Sequence, residues 1–102
     1  MWEKVKLYTD KKLDANLQIV EQEDKYIPKA CGLKYYPLVV EEASGSIVKD
    51  VDGNEFIDFL TSAAVYNIGH THPKVVAAAK KQMDRVINYT MAYFYEKQPI
   101  EL

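Results

Sequence analysis

Cysteine is nearly absent from this chain. Cys31 stands alone, so no internal disulfide can form. A lone thiol reads as idle in a reducing compartment, because a nucleophilic one needs a positioned base and none is near in sequence. Long apolar runs are missing too, and no stretch approaches the roughly 20 residues that cross a bilayer. The N-terminus, Met1-Trp2-Glu3-Lys4-Val5-Lys6, is charged and lacks the apolar stretch of a secretory signal. The expected compartment is the cytoplasm, and Asn88-Tyr89-Thr90 is read as a chance match to a glycosylation acceptor. Nor is there an excess of positive charge. Thirteen basic residues stand against fifteen acidic ones, a net charge of -2, which offers no field for a nucleic-acid backbone or an anionic membrane. Four glycines are present, and none belongs to a GxGxxG or Walker pattern. No Ser/His/Asp arrangement occurs in motif context.

What is present is ordinary for a globular chain. Hydrophobic residues make up 48% of the 102 and charged ones 27%, a balance that excludes disorder and predicts one small α+β domain with a modest core. Three segments are expected: 1–36 with an N-terminal helix and loop, 37–60 with an antiparallel sheet, and 61–102 with a connecting loop and helices. Thr9 or Asp10 is a candidate helix cap. Leu13, Leu17 and Val20 then recur at the spacing of one buried stripe. That pattern stops before Pro28. Leu38-Val39-Val40, Ile47 to Val51 and Glu55 to Phe59 read as three strands of a meander. Asp52-Gly53 between the last two is the signature of a type I′ hairpin turn. The small residues Thr61-Ser62-Ala63-Ala64 let the backbone lie close to something. Asn67-Ile68-Gly69-His70-Thr71-His72-Pro73 then breaks regular structure, with Pro73 suited to a first helical position and Thr71 or His72 near the cap. Val76, Ala79, Met83 and Val86 form a narrow apolar face on the following helix. The aromatic run Tyr89 to Tyr95 has no clear period. Pro99-Ile100-Glu101-Leu102 looks like the first turn of another helix, and a chain ending there is expected to be a piece of something longer.

Chemical signals are sparse. His70-Thr71-His72 invites a metal, but zinc needs three or four converging ligands and only Cys31 and scattered acids are available, so no metal is expected. His70 is expected to hold the loop by side-chain-to-backbone hydrogen bonds. Asp50 to Asn54 fails as a calcium loop because Val48 stands where an acid is required. The eight tyrosines lack the basic stripe of a single-strand platform. Asp58 and His70 are candidates for an acid–base pair, although strand alternation equally lets Asp58 face water.

One ordered run carries more. Pro37-Leu38-Val39-Val40-Glu41, Ala43-Ser44-Gly45-Ser46, Asp50 to Phe59, Asn67 to Ala79 and Gln82, in this order and spacing, resemble the N-terminal region of class III aminotransferases. The family pattern is a hairpin ending in D-x-D-G-x-x-[YF]-[IL]-D-[FL], a small-residue stretch, then G-H-x-H-P and an alanine-rich helix. A fainter echo runs through Leu13 to Pro28 and Pro99 to Leu102.

The resemblance implies the N-terminal share of the small domain of a fold-type I pyridoxal-phosphate enzyme. It implies a homodimer with active sites at the subunit interface. It places Ser62 and Ala63 at the substrate entrance, and Gly69, His70 and Pro73 at a turn and helix start near the dimer interface. The family usually has glycines where Thr61 and Ser62 stand. Its Schiff-base lysine, its acid against the pyridine nitrogen and its phosphate-binding helix lie further on, so no catalytic residue is expected here and no cofactor is expected to bind this chain alone. The parent is expected to transfer an amino group from an amino acid or ω-amino acid, such as 4-aminobutyrate, to a 2-oxo acid. A racemase, aminomutase or phospho-lyase of the same family, or a non-enzymatic self-associating module, are the alternatives.

Overall fold

The structure, a computed structural model, describes residues 10–32, 34–88, 93–95, 97 and 100. Thr9, Tyr89 to Ala92 and, of the last segment, Pro99, Glu101 and Leu102 lie outside the described residues, so the readings placed on them do too. Two compact units divide the chain, Met1–Thr71 and His72–Leu102.

The first unit opens with α1, Asp14–Tyr26. It stops where the sequence dictates. Ile27 precedes Pro28, and the proline ring pushes it to an extended conformation with φ -105° and ψ 127°. The helix start differs from the expectation. Neither Asp10 nor the N-cap residue Leu13 supplies a side-chain cap. The carboxylate of Asp52, on the sheet, accepts the N–H groups of Ala15 and Asn16 at 3.1 and 2.9 Å instead. These are two of the donors that a helix start leaves orphaned, and a negative charge there also complements the helix dipole.

The buried stripe also differs. Leu13 is buried, but Leu17 is 40% exposed, and the residue that α1 buries fully is Asn16. Its Nδ2 donates to Asp50 and Asp52, both at 2.9 Å, and its Oδ1 accepts the Val39 N–H at 2.6 Å. A buried amide is tolerated when its donors and acceptor are used. Here polar pairing, not an apolar ridge, docks the helix on the sheet.

The sheet has the order β1-β2-β3 with antiparallel pairs: β1 Val40–Ser44, β2 Ile47–Asp50 and β3 Glu55–Ile57. The first strand starts later than Leu38 because Val39 is engaged with Asn16. The register shifts between Val40 and Glu42, leaving Glu41 as the extra residue of a bulge. The expected type I′ turn is corrected. Asp50 N–H bonds to the Asn54 carbonyl at 3.0 Å, so the loop is Val51-Asp52-Gly53. Of these only Gly53 has positive φ, at 85°. The Asp50 carboxylate is the physical reason. It accepts the N–H groups of Asp52 and Asn54 at 3.1 and 2.8 Å, which favours a right-handed turn followed by a left-handed glycine. Burial alone would raise the Asp50 pKa. Hydrogen bonds from Asn54, Asn16 and Asp52 outweigh it and hold the group below its usual value.

The second unit contains α2, Pro73–Met83, with Pro73 in the first turn and His72 as N-cap. The missing N–H of proline costs nothing at that position. The expected apolar face is open: Met83, the last residue of the helix, is 57% exposed, and Val86, beyond its end, 44%. Among the described residues no helix is long and apolar enough to cross a membrane.

Candidate functional site

Between Asp58 and His70 the chain leaves the sheet, makes one tight loop and returns to it. Asp58 still belongs to the sheet through its N–H, which donates to the Ser46 carbonyl at 2.8 Å. Its side chain then ends the strand. Oδ1 accepts the N–H groups of Leu60 and Thr61 at 2.9 and 2.8 Å, and Oδ2 lies 2.6 Å from His70 Nε2. The His70 bond, then the Thr61 N–H, hold the Asp58 carboxyl below its ordinary pKa against the opposing effect of burial. Both side chains of this pair are only 13% exposed, so water screens it weakly.

Thr61, Ser62, Ala63 and Ala64 all have positive φ, from 48° to 67°. They form a left-handed turn, closed by the Ala64 N–H on the Leu60 carbonyl and the Val65 N–H on the Thr61 carbonyl at 3.2 and 2.8 Å. None is a glycine, so each sits where L residues pay roughly 1–2 kcal/mol. The small-residue stretch thus takes a path that its composition did not announce.

The loop closes at Gly69. Its N–H donates to the Tyr66 carbonyl at 2.9 Å, and the Tyr66 and His70 rings pack with centroids 4.6 Å apart. His70 then pairs with Gly45 through both backbone groups, at 2.8 and 3.0 Å. The His70 side chain therefore serves a carboxylate, not the backbone acceptor expected of it. Thr71 Oγ1 adds a bond to the Ala43 carbonyl at 2.9 Å.

Sheet and loop enclose an open groove of about 570 Å³. Val48 and Phe56 form its floor from the sheet, Tyr36 and Leu38 border it, and Phe59, Leu60, Ser62, Tyr66, Asp58 and His70 line the loop side. The structure therefore brings Ser62 and His70 to one groove. Ala63 shares the turn but not the lining, and Pro73 opens α2 in the second unit. Tyr66 and Leu60 are site residues that the sequence reading passed over. The Asp58-x-x-Thr61 spacing was the available signal, since an aspartate commonly caps backbone N–H groups two and three positions on. Among the described residues no group of three or more His, Cys, Asp or Glu could hold a metal. Among the described residues Nδ1 of His72, which is buried, has no hydrogen-bond partner.

The described residues do not fit a pyridoxal-phosphate site. That cofactor needs a lysine for its aldehyde and an acid against its ring nitrogen. No lysine or arginine lines the groove, and its carboxylate is committed to His70 and two N–H groups.

Residues 30–102 match the family described as Aminotransferase class-III. This chain is 44% identical over 91 residues to isoleucine 2-epimerase of Lentilactobacillus buchneri, covering 89% of this chain and 20% of that protein. It is 40% identical to a leucine/methionine racemase of Thermococcus litoralis, over 83% of this chain and 19% of that one. In three dimensions it is similar to acetylornithine aminotransferase from Elizabethkingia anophelis, with a TM-score of 0.72, 30% identity, and coverage of 84% of this chain and 22% of that one.

The chain belongs to the class III aminotransferase family. Its helix, antiparallel sheet and following helix are a part of the fold-type I architecture of that family. It spans about 20% of the length of the relatives it matches.

Proposed function

We propose that this chain is the N-terminal part of a pyridoxal-phosphate-dependent aminotransferase. The whole protein would transfer an amino group from an amino acid or ω-amino acid, such as 4-aminobutyrate, to a 2-oxo acid. The observation that carries this reading is the family match over residues 30–102 together with the folded bend that the match contains: Asp58 and His70 bonded to each other and to the sheet end. In this reading the cofactor and all reacting groups come from the rest of the protein. Ser62 and Ala63 stand at the substrate entrance. Gly69, His70 and Pro73 shape the turn and helix start at a subunit interface.

The exposed apolar surface supports partners. Phe59 and Leu60, adjacent in sequence and both lining the groove, are 91% and 65% exposed and offer an apolar surface to a partner. The proposed partners are the remainder of the enzyme chain and a second subunit, in a cytoplasmic homodimer with amino acid and 2-oxo acid substrates.

A second reading is an amino-acid racemase or epimerase of the same family. It is favoured by the epimerase and the racemase to which this chain is 44% and 40% identical. One experiment separates the two. The full-length protein is loaded with pyridoxal phosphate and given either one enantiomer of a branched-chain amino acid or the achiral 4-aminobutyrate, with and without 2-oxoglutarate. An aminotransferase turns over repeatedly only with the acceptor present, releasing glutamate and the carbonyl form of the donor, and without it stops after one equivalent per site. A racemase makes the other enantiomer without it. The 102-residue chain alone is expected to give neither product and no cofactor absorbance; turnover by it would overturn the assignment of the chemistry to the rest of the protein.

A further inference from the structure

The left-handed turn poses a physical problem. Four consecutive non-glycine residues hold positive φ, and left alone such a segment unwinds. Something outside the turn must hold it. At its entry, Asp58 Oδ1 grips the Leu60 and Thr61 N–H groups at 2.9 and 2.8 Å. At its exit, Tyr66 packs on His70 and receives the Gly69 N–H. One contact joins the two ends, the 2.6 Å bond between Asp58 Oδ2 and His70 Nε2. Both residues are in turn fastened to the sheet end, Asp58 to Ser46 and His70 to Gly45.

We propose that Asp58 and His70 are positioning residues: their side-chain bond clasps the two ends of the 58–70 loop and so keeps Ser62 facing the groove. This rests on the reading of Ser62 as a substrate-entrance residue. The clasp touches no substrate. It acts through the turn, by making the left-handed path the lower-energy one.

The test uses the full-length enzyme loaded with pyridoxal phosphate. Asp58→Ala removes the grip at the entry and the bond to the exit. It is expected to raise KM for the amino donor by about 10-fold with a smaller change in kcat, because the entrance is displaced while the chemistry lies elsewhere. Asp58→Asn keeps an oxygen for the two N–H groups and turns its NH2 to donate to His70 Nε2, so it is expected to stay within about 3-fold of the parent. Ala64→Gly removes the cost of positive φ at one of the four positions. Added to Asp58→Ala, it is expected to bring KM at least about 3-fold back towards the parent, whereas Gly32→Ala, outside the turn, is expected to leave the raised KM unchanged. An unchanged KM in a folded Asp58→Ala enzyme overturns the proposal. So does an Ala64→Gly addition without rescue.

A second arm needs no turnover and separates this proposal from the aminotransferase reading. Glycine in a right-handed helix lowers Tm, whereas at positive φ it raises it. Ala64→Gly and Thr61→Gly are each expected to raise the Tm of the full-length protein by about 2 °C. A fall in Tm for both means the left-handed turn is absent, and the clasp with it. If the glycine shifts appear but no amino transfer is found, the turn stands and the functional reading falls.

Discussion

A β-carbon placed on Gly69 would lie 3.0 Å from the Cα of Gly45 and 3.1 Å from its carbonyl oxygen. The two glycines bring the loop and the hairpin end into backbone contact, and the pairing of Gly45 with His70 follows from it. Gly69→Ala meets backbone atoms that cannot swing aside, at a φ of 86° that alanine resists. It is expected to cost about 2–3 kcal/mol in urea unfolding. Gly45→Ala has open space but also positive φ, so about 1 kcal/mol is expected. Gly32→Ala, with open space and an extended φ of 163°, is expected to be neutral or stabilising by under about 1 kcal/mol. A reversed order of the three would contradict the close approach.

Asn16 is the second point of sensitivity. Its side chain satisfies both carboxylates of the hairpin turn and the Val39 N–H. Asn16→Ala leaves buried Asp50 short of a donor and Val39 without an acceptor. A loss of about 3 kcal/mol is expected, with faster amide exchange at Val39 as the local signature. Asn16→Leu, similar in volume, is expected to do no better, because the partners it abandons are the same. Equal protection of Val39 in variant and parent would refute the assignment.

Acid should undo the same contacts. Asp50, Asp52 and Asp58 all have pKa values below the ordinary 3.8. The folded state thus releases protons that the unfolded state still binds, and stability rises with pH across that window. The contribution is complete above about pH 4 and is lost as pH falls through the lower folded values. Unfolding midpoints measured from pH 6 to pH 2 should be flat at first and then drop. In Asp58→Asn the drop should be shallower, and an unchanged profile would mean that the carboxyl does not sense folding.

Surface pairing gives the contrast. Lys49 and Glu42 face each other across β1 and β2 at 2.9 Å, and the hydrogen bond and charge of Glu42 raise the Lys49 pKa. Both side chains are well exposed, at 41% and 66%. Such pairs contribute little once salt screens them. Glu42→Gln is expected to leave the melting temperature unchanged at physiological salt. A large fall would show that β1 depends on this pair.

Much of this architecture was legible because it is local. Pro28 and Pro73 mark a helix end and a helix start through fixed ring geometry, and the Asp52-Gly53 pair marks a hairpin. The misses share one cause, which is contact between distant segments. The cap of α1 comes from Asp52, and the amide that replaces an apolar ridge is buried only because Asp50 and Asp52 meet it. No spacing within residues 10–27 announces either. The turn type changed because the Asp50 carboxylate bound its own loop. At the site, Asp58 and His70 were paired as candidates from their residue types, yet the alternation rule also sent Asp58 to water; the returning loop decides between them. The left-handed turn was hidden because Thr, Ser and Ala carry no signal for positive φ.

The remote cap on α1 has a consequence during synthesis. Residues 14–26 leave the ribosome while Asp52 is still inside the exit tunnel or not yet joined to the chain. A short helix without its partner is marginal in water. The first helix in the sequence is therefore expected to consolidate only once translation has delivered the hairpin that completes it.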